Sequence, residues 1–102
     1  MNPSKVSREN VSKMTDLPNV GKIVAHDLAS IGITCPEDLI GQDPYALYVL
    51  FCRTFKEKQD PCTLDVLMSI TDFMNGNEPR PWWDYTPLRK KRYGENIIIA
   101  LD

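Results

Sequence analysis

Prolines and glycines divide this chain into short segments, and that division limits what the chain can fold into. The 102 residues include eight prolines and five glycines. A proline keeps the residue before it out of the helical region, and a glycine often ends a helix in a left-handed conformation. Because strand signals are absent before the last residues, the pattern predicts a string of short helices with tight connections. With 42% hydrophobic residues, the helices can bury a common core.

The first two predicted helices flank a tight turn. Ser7 can cap a short helix that stops before Pro18. A second helix begins at Gly21 and ends at Gly32. Its apolar stripe, spaced by three and four residues, consists of Val20, Val24, Leu28 and Ile31. This stripe predicts that one face of the second helix packs on the core.

Three further helix starts carry capping signals. Thr34 and Glu37 match a capping box for a helix of one to two turns, which Gly41 closes. Two longer helices begin where an N-capping aspartate precedes a proline in the first helical position. These two starts are Asp43-Pro44 and Asp60-Pro61. We expect the fifth helix to end at residues 75–76, an Asn-Gly pair.

The fifth predicted helix carries a polar stripe on one face. The stripe consists of Asp65, Ser69 and Asp72. Two carboxylates on one face could hold a cation, but a solvated face is the commoner arrangement. We therefore interpret the stripe as the solvent-facing side of the helix.

The composition changes after Gly76, where prolines stand before and after a group of aromatic residues and a basic run follows. We expect at least one of Trp82 and Trp83 to pack on the helical core. The alternative is a stacking platform for exposed nucleobases, with the basic run beside it. The contacts expected from this tail are Trp82, Trp83, Arg89, Lys90, Lys91 and Arg92. The final apolar run at 97–99 is expected to be mobile or loosely docked, and pairing with a second copy of the chain is the lesser alternative.

Cysteine and histidine usage predicts neither catalysis nor metal binding. Cys35, Cys52 and Cys62 are odd in number and lack Cys-x-x-Cys spacing, so reduced thiols are expected. His26 is the only histidine. An enzyme would need His26 and a cysteine in one pocket, which the predicted helix faces do not assemble. We expect no catalytic residue, no metal and no cofactor.

The charge pattern excludes nonspecific attraction of polyanions by the molecule as a whole. The net charge is −2 and the isoelectric point is about 5.3. Positive charge lies at both ends, because residues 1–25 carry four bases and two acids and residues 80–102 carry five and three. Phosphate binding therefore requires a local site. No apolar run is long enough to cross a bilayer and no signal peptide is evident, so we expect a cytoplasmic protein without a membrane partner.

The turn between the first two helices has the chemistry of an anion site. Residues 17–22 read Leu-Pro-Asn-Val-Gly-Lys. Gly21 permits close approach of the backbone to a ligand oxygen, and the first N–H groups of the next helix lack internal partners. The helix dipole favours an anion there, and Lys22 adds a positive charge. His26 lies four residues further on the same face, and Lys13 can assist.

This turn resembles the hairpin of the helix-hairpin-helix family, in which backbone N–H groups point at a DNA phosphate. Asn19 departs from the family pattern, since it replaces the first glycine of the hairpin. Asparagine also adopts a left-handed backbone, so the turn can survive, although its side chain could crowd or bond the phosphate.

A wider resemblance covers residues 14–87. The chain is similar there to the small bacterial proteins grouped as the pathogenicity-locus family, often labelled mitomycin-resistance proteins. The matching features are Leu-Pro-Asn-Val-Gly-Lys at 17–22, Gly-Gln-Asp-Pro-Tyr at 41–45, Asp-Pro-Cys at 60–62 and Pro-Trp-Trp at 81–83. The resemblance implies a stand-alone helix-hairpin-helix protein that is presumed to bind DNA, with no established chemistry.

Together these features predict an all-α fold of about five short helices. A compact helix-hairpin-helix, SAM-like domain is expected at residues 1–77, with an irregular Pro/Trp-rich and basic tail at 78–102. The expected function is non-enzymatic, sequence-independent binding of the DNA backbone, in repair or protection. The residues expected at the phosphate are Lys13, Pro18, Asn19, Val20, Gly21, Lys22 and His26. The alternative is a protein-interaction module that uses the acidic middle and the Trp-rich tail.

Overall fold

The protein is all-helical in the computed structural model, which describes residues 2–94. Its four α-helices are α1 (Lys22–Ala29), α2 (Pro44–Phe55), α3 (Pro61–Met74) and α4 (Thr86–Tyr93). Five short 3-10 turns connect or precede them, at Pro3–Lys5, Arg8–Asn10, Met14–Asp16, Pro36–Leu39 and Trp82–Tyr85. No strand occurs among these residues, and the all-α class is confirmed. The apolar run at 97–99 lies outside the described residues.

The two Asp-Pro starts are confirmed as helix N-termini. The Asp43 carboxylate accepts a hydrogen bond from the Tyr45 N–H at 3.2 Å, and Asp60 accepts one from the Cys62 N–H at 2.9 Å. The bonds from Cys62 hold the pKa of Asp60 below its ordinary value. Both helices therefore begin where local sequence predicts, because cap and proline act on the first turn alone.

The first predicted helix is wrong, because the chain forms two separate 3-10 turns there. These turns are Arg8–Asn10 and Met14–Asp16. The Asp16 carboxylate accepts hydrogen bonds from the N–H groups of Ser12 and Lys13, both at 3.0 Å. Such bonds from a side chain to nearby backbone compete with helical hydrogen bonding. The segment is folded, but it is not an α-helix.

The third predicted helix is also a 3-10 turn, Pro36–Leu39, and its cap differs from the predicted one. The carboxylate that accepts the Thr34 N–H, at 3.0 Å, belongs to Asp38 and not to Glu37. Asp38 also accepts the Cys35 N–H at 3.3 Å. Cys35 is therefore the N-cap residue, one position later than predicted, which moves the capping carboxylate from 37 to 38.

Helix α3 lies at the centre of the core. It contacts α2, α4 and the 3-10 turns at Pro36–Leu39 and Trp82–Tyr85. The side chains that pack with no exposed surface around it include Leu17, Leu28, Leu39, Tyr48, Leu64, Ile70 and Phe73. Arg8 fixes the N-terminal segment to the end of α3, since its guanidinium donates to the Phe73 carbonyl at 2.6 Å and to the Asn77 carbonyl at 2.8 Å.

The polar stripe of α3 is not solvated, which overturns its interpretation as a solvent-facing side. Asp65 and Ser69 are buried. Asp65 accepts hydrogen bonds from the Arg89 guanidinium at 2.6 Å and from the Thr86 hydroxyl at 2.7 Å. Asp72 accepts one from the Tyr85 hydroxyl at 2.6 Å. The stripe is the surface on which the C-terminal segment packs.

The tail expected to be irregular therefore contains a 3-10 turn and helix α4. Pro87 lies in the first turn of α4, where a proline is compatible with a helix because its missing N–H would have no partner there. The proposed domain boundary after residue 77 stays a prediction. Within residues 2–94, none of the helices combines the length and apolar composition needed to cross a bilayer.

Candidate functional site

The turn at residues 17–20 has the features of a type II β-turn. The Val20 N–H donates to the Leu17 carbonyl at 3.4 Å, Pro18 occupies the second position, and Asn19 has a φ of 66°. Leu17, Pro18 and Val20 are buried. These three residues therefore fix the turn to the core. The Val20 N–H, expected as a phosphate donor, is engaged inside the protein.

The Asn19 side chain is also directed into the protein. Its amide nitrogen donates to the Ser69 hydroxyl at 2.9 Å and to the Arg80 carbonyl at 2.8 Å. Its amide oxygen accepts the Trp82 N–H at 3.2 Å. Three hydrogen bonds thus connect the turn to α3 and to the C-terminal segment. Both polar atoms of the Asn19 side chain are thus hydrogen-bonded within the protein.

The start of α1 is open. Gly21 is the N-cap residue in an extended conformation, with a φ of −94°, and no side chain of the described residues caps the helix. The Ala25 N–H bonds the Gly21 carbonyl at 3.0 Å, so the N–H groups of Lys22, Ile23 and Val24 precede the helical hydrogen bonds. A Cβ placed on Gly21 would meet nothing within 4 Å. The fold therefore does not require glycine at this position, since a side chain has room there.

Three of the predicted phosphate-binding residues lie together along one face of α1, which begins at Lys22. Lys13, Lys22 and His26 are exposed and line a shallow depression of about 410 Å³. Thr15 and Thr34 line it as well. Lys13 reaches this surface because the turn at Met14–Asp16 packs against α1. The depression therefore combines three basic side chains with two hydroxyl groups.

The basic residues of the tail do not join this group. Arg89 is 4% exposed and is bound to Asp65, so its guanidinium is not available to a ligand. Lys90, Lys91 and Arg92 are exposed on α4. Arg92 lines a different depression, together with residues at the start of α2. The structure thus brings together Lys13, Lys22 and His26, whereas Arg89 and Arg92 have contacts elsewhere.

The two tryptophans differ in environment. Trp82 is half-buried and lines a pocket between α1 and α3, whereas Trp83 is 58% exposed. Their rings meet edge to face, with 5.7 Å between centroids and an interplanar angle of 82°. Trp82 shares this pocket with the core residues Phe51 and Leu67, and the expectation that at least one tryptophan packs on the core stays a prediction. Trp83 remains an exposed aromatic surface.

The cysteines are free thiols in different environments. Cys52 is buried, and Cys35 and Cys62 are half-buried. Burial, together with the neighbouring Asp60, raises the pKa of Cys62. Cys62 lines the Trp82 pocket, whereas His26 lines the basic depression. Among residues 2–94, no three potential metal-ligating side chains cluster.

Comparison with known proteins assigns the sequence to a family. The sequence pattern of the Cdd1 family, described as pathogenicity locus, matches residues 7–91. The chain belongs to the pathogenicity locus family. The matched range includes Lys13, Lys22 and His26, and also Asn19 with its partners Ser69 and Arg80.

This pathogenicity locus protein is similar to a curated relative. The mitomycin resistance protein McrB of Streptomyces lavendulae is 45% identical to it over 80 residues, which cover 78% of this chain and 76% of that protein. No solved structure matches the chain.

Several residues of the site gave no signal in the sequence. Thr15 and Thr34 line the basic depression, yet Thr15 belongs to no motif and Thr34 is predicted only as part of a capping box. The Asn19 contacts join residues 50 to 63 positions apart, beyond any local pattern. The Pro-Asn pair predicts the left-handed backbone of the turn. It does not predict which residues the Asn19 side chain bonds.

Proposed function

We propose that this pathogenicity locus protein binds DNA without reading its sequence, by holding a backbone phosphate at the start of α1. The turn at 17–21 would act as the hairpin of a helix-hairpin-helix motif. The single observation that carries the proposal is the uncapped start of α1 beside Lys13, Lys22 and His26. The N–H groups of Lys22 and Ile23 are the proposed donors, and Val20 supports the turn instead of binding the phosphate.

The charge distribution favours one local contact over a wide binding face. The first N–H groups of a helix carry partial positive charge, and Lys22 and Lys13 add formal charges beside them. The net charge of −2 opposes broad attraction to DNA. Contacts to phosphates position a protein on DNA without discriminating bases. The complex is therefore weak, sequence-independent and sensitive to salt.

A charge reversal at Lys22 tests the proposal. We expect Lys22→Glu to weaken binding of a short fluorescent duplex by roughly tenfold or more, because it places a carboxylate beside the phosphate. Lys58→Glu is the matched control, since Lys58 is exposed in the connection between α2 and α3. Fluorescence anisotropy between about 50 and 200 mM salt measures both variants.

Equal binding by the folded Lys22→Glu and Lys58→Glu proteins would exclude the start of α1. For the wild type, we expect the log of the affinity to fall with the log of the salt concentration with a slope of about −1 to −2. That slope corresponds to the phosphate held at the start of α1 and at most one neighbouring phosphate. Parallel titration of a single strand shows which form of DNA is preferred.

A protein-interaction module is the second candidate, and the exposure of Trp83 favours it. Trp83 is 58% exposed, and exposed aromatic side chains are typical of protein interfaces. In a pull-down after nuclease treatment, this function predicts that the wild type retains one partner protein and that Trp83→Ala does not. That result would support the function if the protein also fails to bind DNA at low salt. Retention that Trp83→Ala does not change would oppose it.

The proposed role is non-enzymatic protection or repair of DNA in the cytoplasm of a bacterial cell. It is compatible with the name of the relative from Streptomyces lavendulae, a mitomycin resistance protein. No reaction step is assigned to His26 or to the cysteines.

A further inference from the structure

A second depression lies on the other side of α1 from the basic one. It has a volume of about 260 Å³ and lies between α1, the ends of α2 and α3 that face each other, and Trp82. Val24, Phe51, Val66 and Leu67 form its apolar wall. No lysine, arginine or histidine side chain lines it. The site proposed for a phosphate includes none of these residues. The pocket is therefore separate from the phosphate site.

Asp27 gives this pocket a negative charge. The residue is half-buried and lines the pocket. The ion pair found among residues 2–94 joins Arg89 to Asp65, and no side chain in that range bonds the Asp27 carboxylate. Asp65 and Asp72 differ, because each accepts hydrogen bonds from the C-terminal segment. Asp27 thus lies beside an apolar wall and has no counter-charge among residues 2–94.

Trp82 adds an indole side chain to the lining of the pocket. The backbone N–H of Trp82 bonds the Asn19 amide oxygen at 3.2 Å, and its ring meets the Trp83 ring edge to face. A cation within about 6 Å of an indole ring is attracted by the negative face of its π-system, and tryptophan gives the strongest attraction of this kind. A carboxylate, an indole and aliphatic side chains therefore surround one small volume.

We propose that this pocket binds a small aromatic ammonium ion. The ammonium group pairs with Asp27 and lies near the indole of Trp82, and the ring of the ligand packs on Val24, Phe51 and Val66. The volume is below the roughly 300–1,000 Å³ of sites for drug-sized ligands, so the ligand has about one ring. The two sides of α1 then select opposite charges, an anion beside Lys22 and an organic cation beside Asp27. The inference does not depend on DNA binding.

Benzylammonium chloride is the probe for this site, with benzyl alcohol as a neutral molecule of similar size. Proton–nitrogen correlation NMR of the full chain follows both titrations. We expect saturable shifts at the amides of Val24, Thr63 and Val66 with benzylammonium, and roughly tenfold weaker binding of benzyl alcohol. Asp27→Asn removes the charge while preserving the shape, and we expect it to weaken benzylammonium binding by about tenfold.

Asp84→Asn is the matched control, because Asp84 is an exposed acid next to Trp83 and the change in net charge is the same. We expect it to change the affinity less than about twofold. Equal losses in Asp27→Asn and Asp84→Asn would overturn the proposal, since they would report only the overall charge. Equal binding of benzyl alcohol and benzylammonium, or shifts that do not saturate, would overturn it as well. The spectra themselves show that each variant is folded.

Discussion

At the scale of single residues, Asn19 determines both the shape of the turn and its connection to the rest of the chain. The left-handed φ of 66° is the conformation that sequence predicts for an asparagine after a proline in this turn. The three hydrogen bonds to Ser69, Arg80 and Trp82 could not be predicted, because they depend on how the C-terminal segment packs. A residue that departs from the hairpin pattern thus has a structural reason to be asparagine.

Replacement of Asn19 by glycine separates these two properties. Asn19→Gly keeps the left-handed backbone and removes three hydrogen bonds, so we expect the free energy of unfolding to fall by about 2–3 kcal/mol. Asn10→Gly is the control at an exposed asparagine, with an expected loss of about 1 kcal/mol or less. Urea unfolding followed by tryptophan fluorescence measures both. Equal losses would show that the Asn19 side chain contributes nothing of its own.

A substitution of Gly21 can abolish DNA binding without lowering the stability of the protein. Aspartate is a good N-cap residue, and a Cβ at position 21 meets no neighbour, so Gly21→Asp should be as stable as the wild type or slightly more stable. The same carboxylate would bond the N–H groups proposed for the phosphate and would repel it. We expect retained thermal stability together with loss of duplex binding by anisotropy. A stable Gly21→Asp protein that binds duplex like the wild type would contradict the phosphate assignment.

At the scale of elements, helix starts with local signals are predictable and helices that depend on distant contacts are not. Asp43 and Asp60 cap α2 and α3 from adjacent residues. Helix α4 contains a basic run that by itself resembles a solvated segment, yet it packs on α3 through Arg89 and Asp65. The sequence contains both charges, but the pairing depends on the fold. The same pairing explains why the polar stripe of α3 is buried.

The buried ion pair between Arg89 and Asp65 should be essential for this packing. Arg89→Ala leaves Asp65 buried with no positive partner, and we expect the free energy of unfolding to fall by roughly 3–5 kcal/mol. Arg92→Ala, an exposed position on the same helix, should change it by no more than about 0.5 kcal/mol. Chemical denaturation measures both variants. Similar small losses would mean that α4 does not depend on the pair.

Capping carboxylates make stability depend on acid pH. Backbone hydrogen bonds hold the pKa values of Asp16, Asp38 and Asp60 below their ordinary 3.8. Since the unfolded chain binds protons more readily than the folded protein, this stabilisation is present above about pH 4 and is lost as the pH falls through the lower folded values. We expect the free energy of unfolding to decrease below about pH 4. Asp60→Asn, which keeps a capping oxygen, should reduce the slope, and an unchanged slope would contradict this cause.

At the scale of the whole molecule, α1 separates two surfaces of opposite chemical character. Lys13, Lys22 and His26 lie on one side, and Asp27 with the Trp82 pocket lies on the other. The sequence predicts most of the first surface, since helical spacing places Lys22 and His26 on one face. It does not predict the second surface, because Phe51, Val66 and Trp82 converge only in the folded chain. The acidic net charge does not indicate this small basic site. The site is evident only from the distribution of charged residues along the chain.

The central claim is that backbone N–H groups at the start of α1 hold a DNA phosphate. Proton–nitrogen correlation NMR during titration with a short duplex tests it most directly, because each amide reports its own contact. We predict the largest shifts at Lys22 and Ile23, a smaller one at the internally bonded Val20, and loss of these shifts in Gly21→Asp. Largest shifts at Lys90, Lys91 and Arg92, or no saturable shift at the start of α1, would contradict the account.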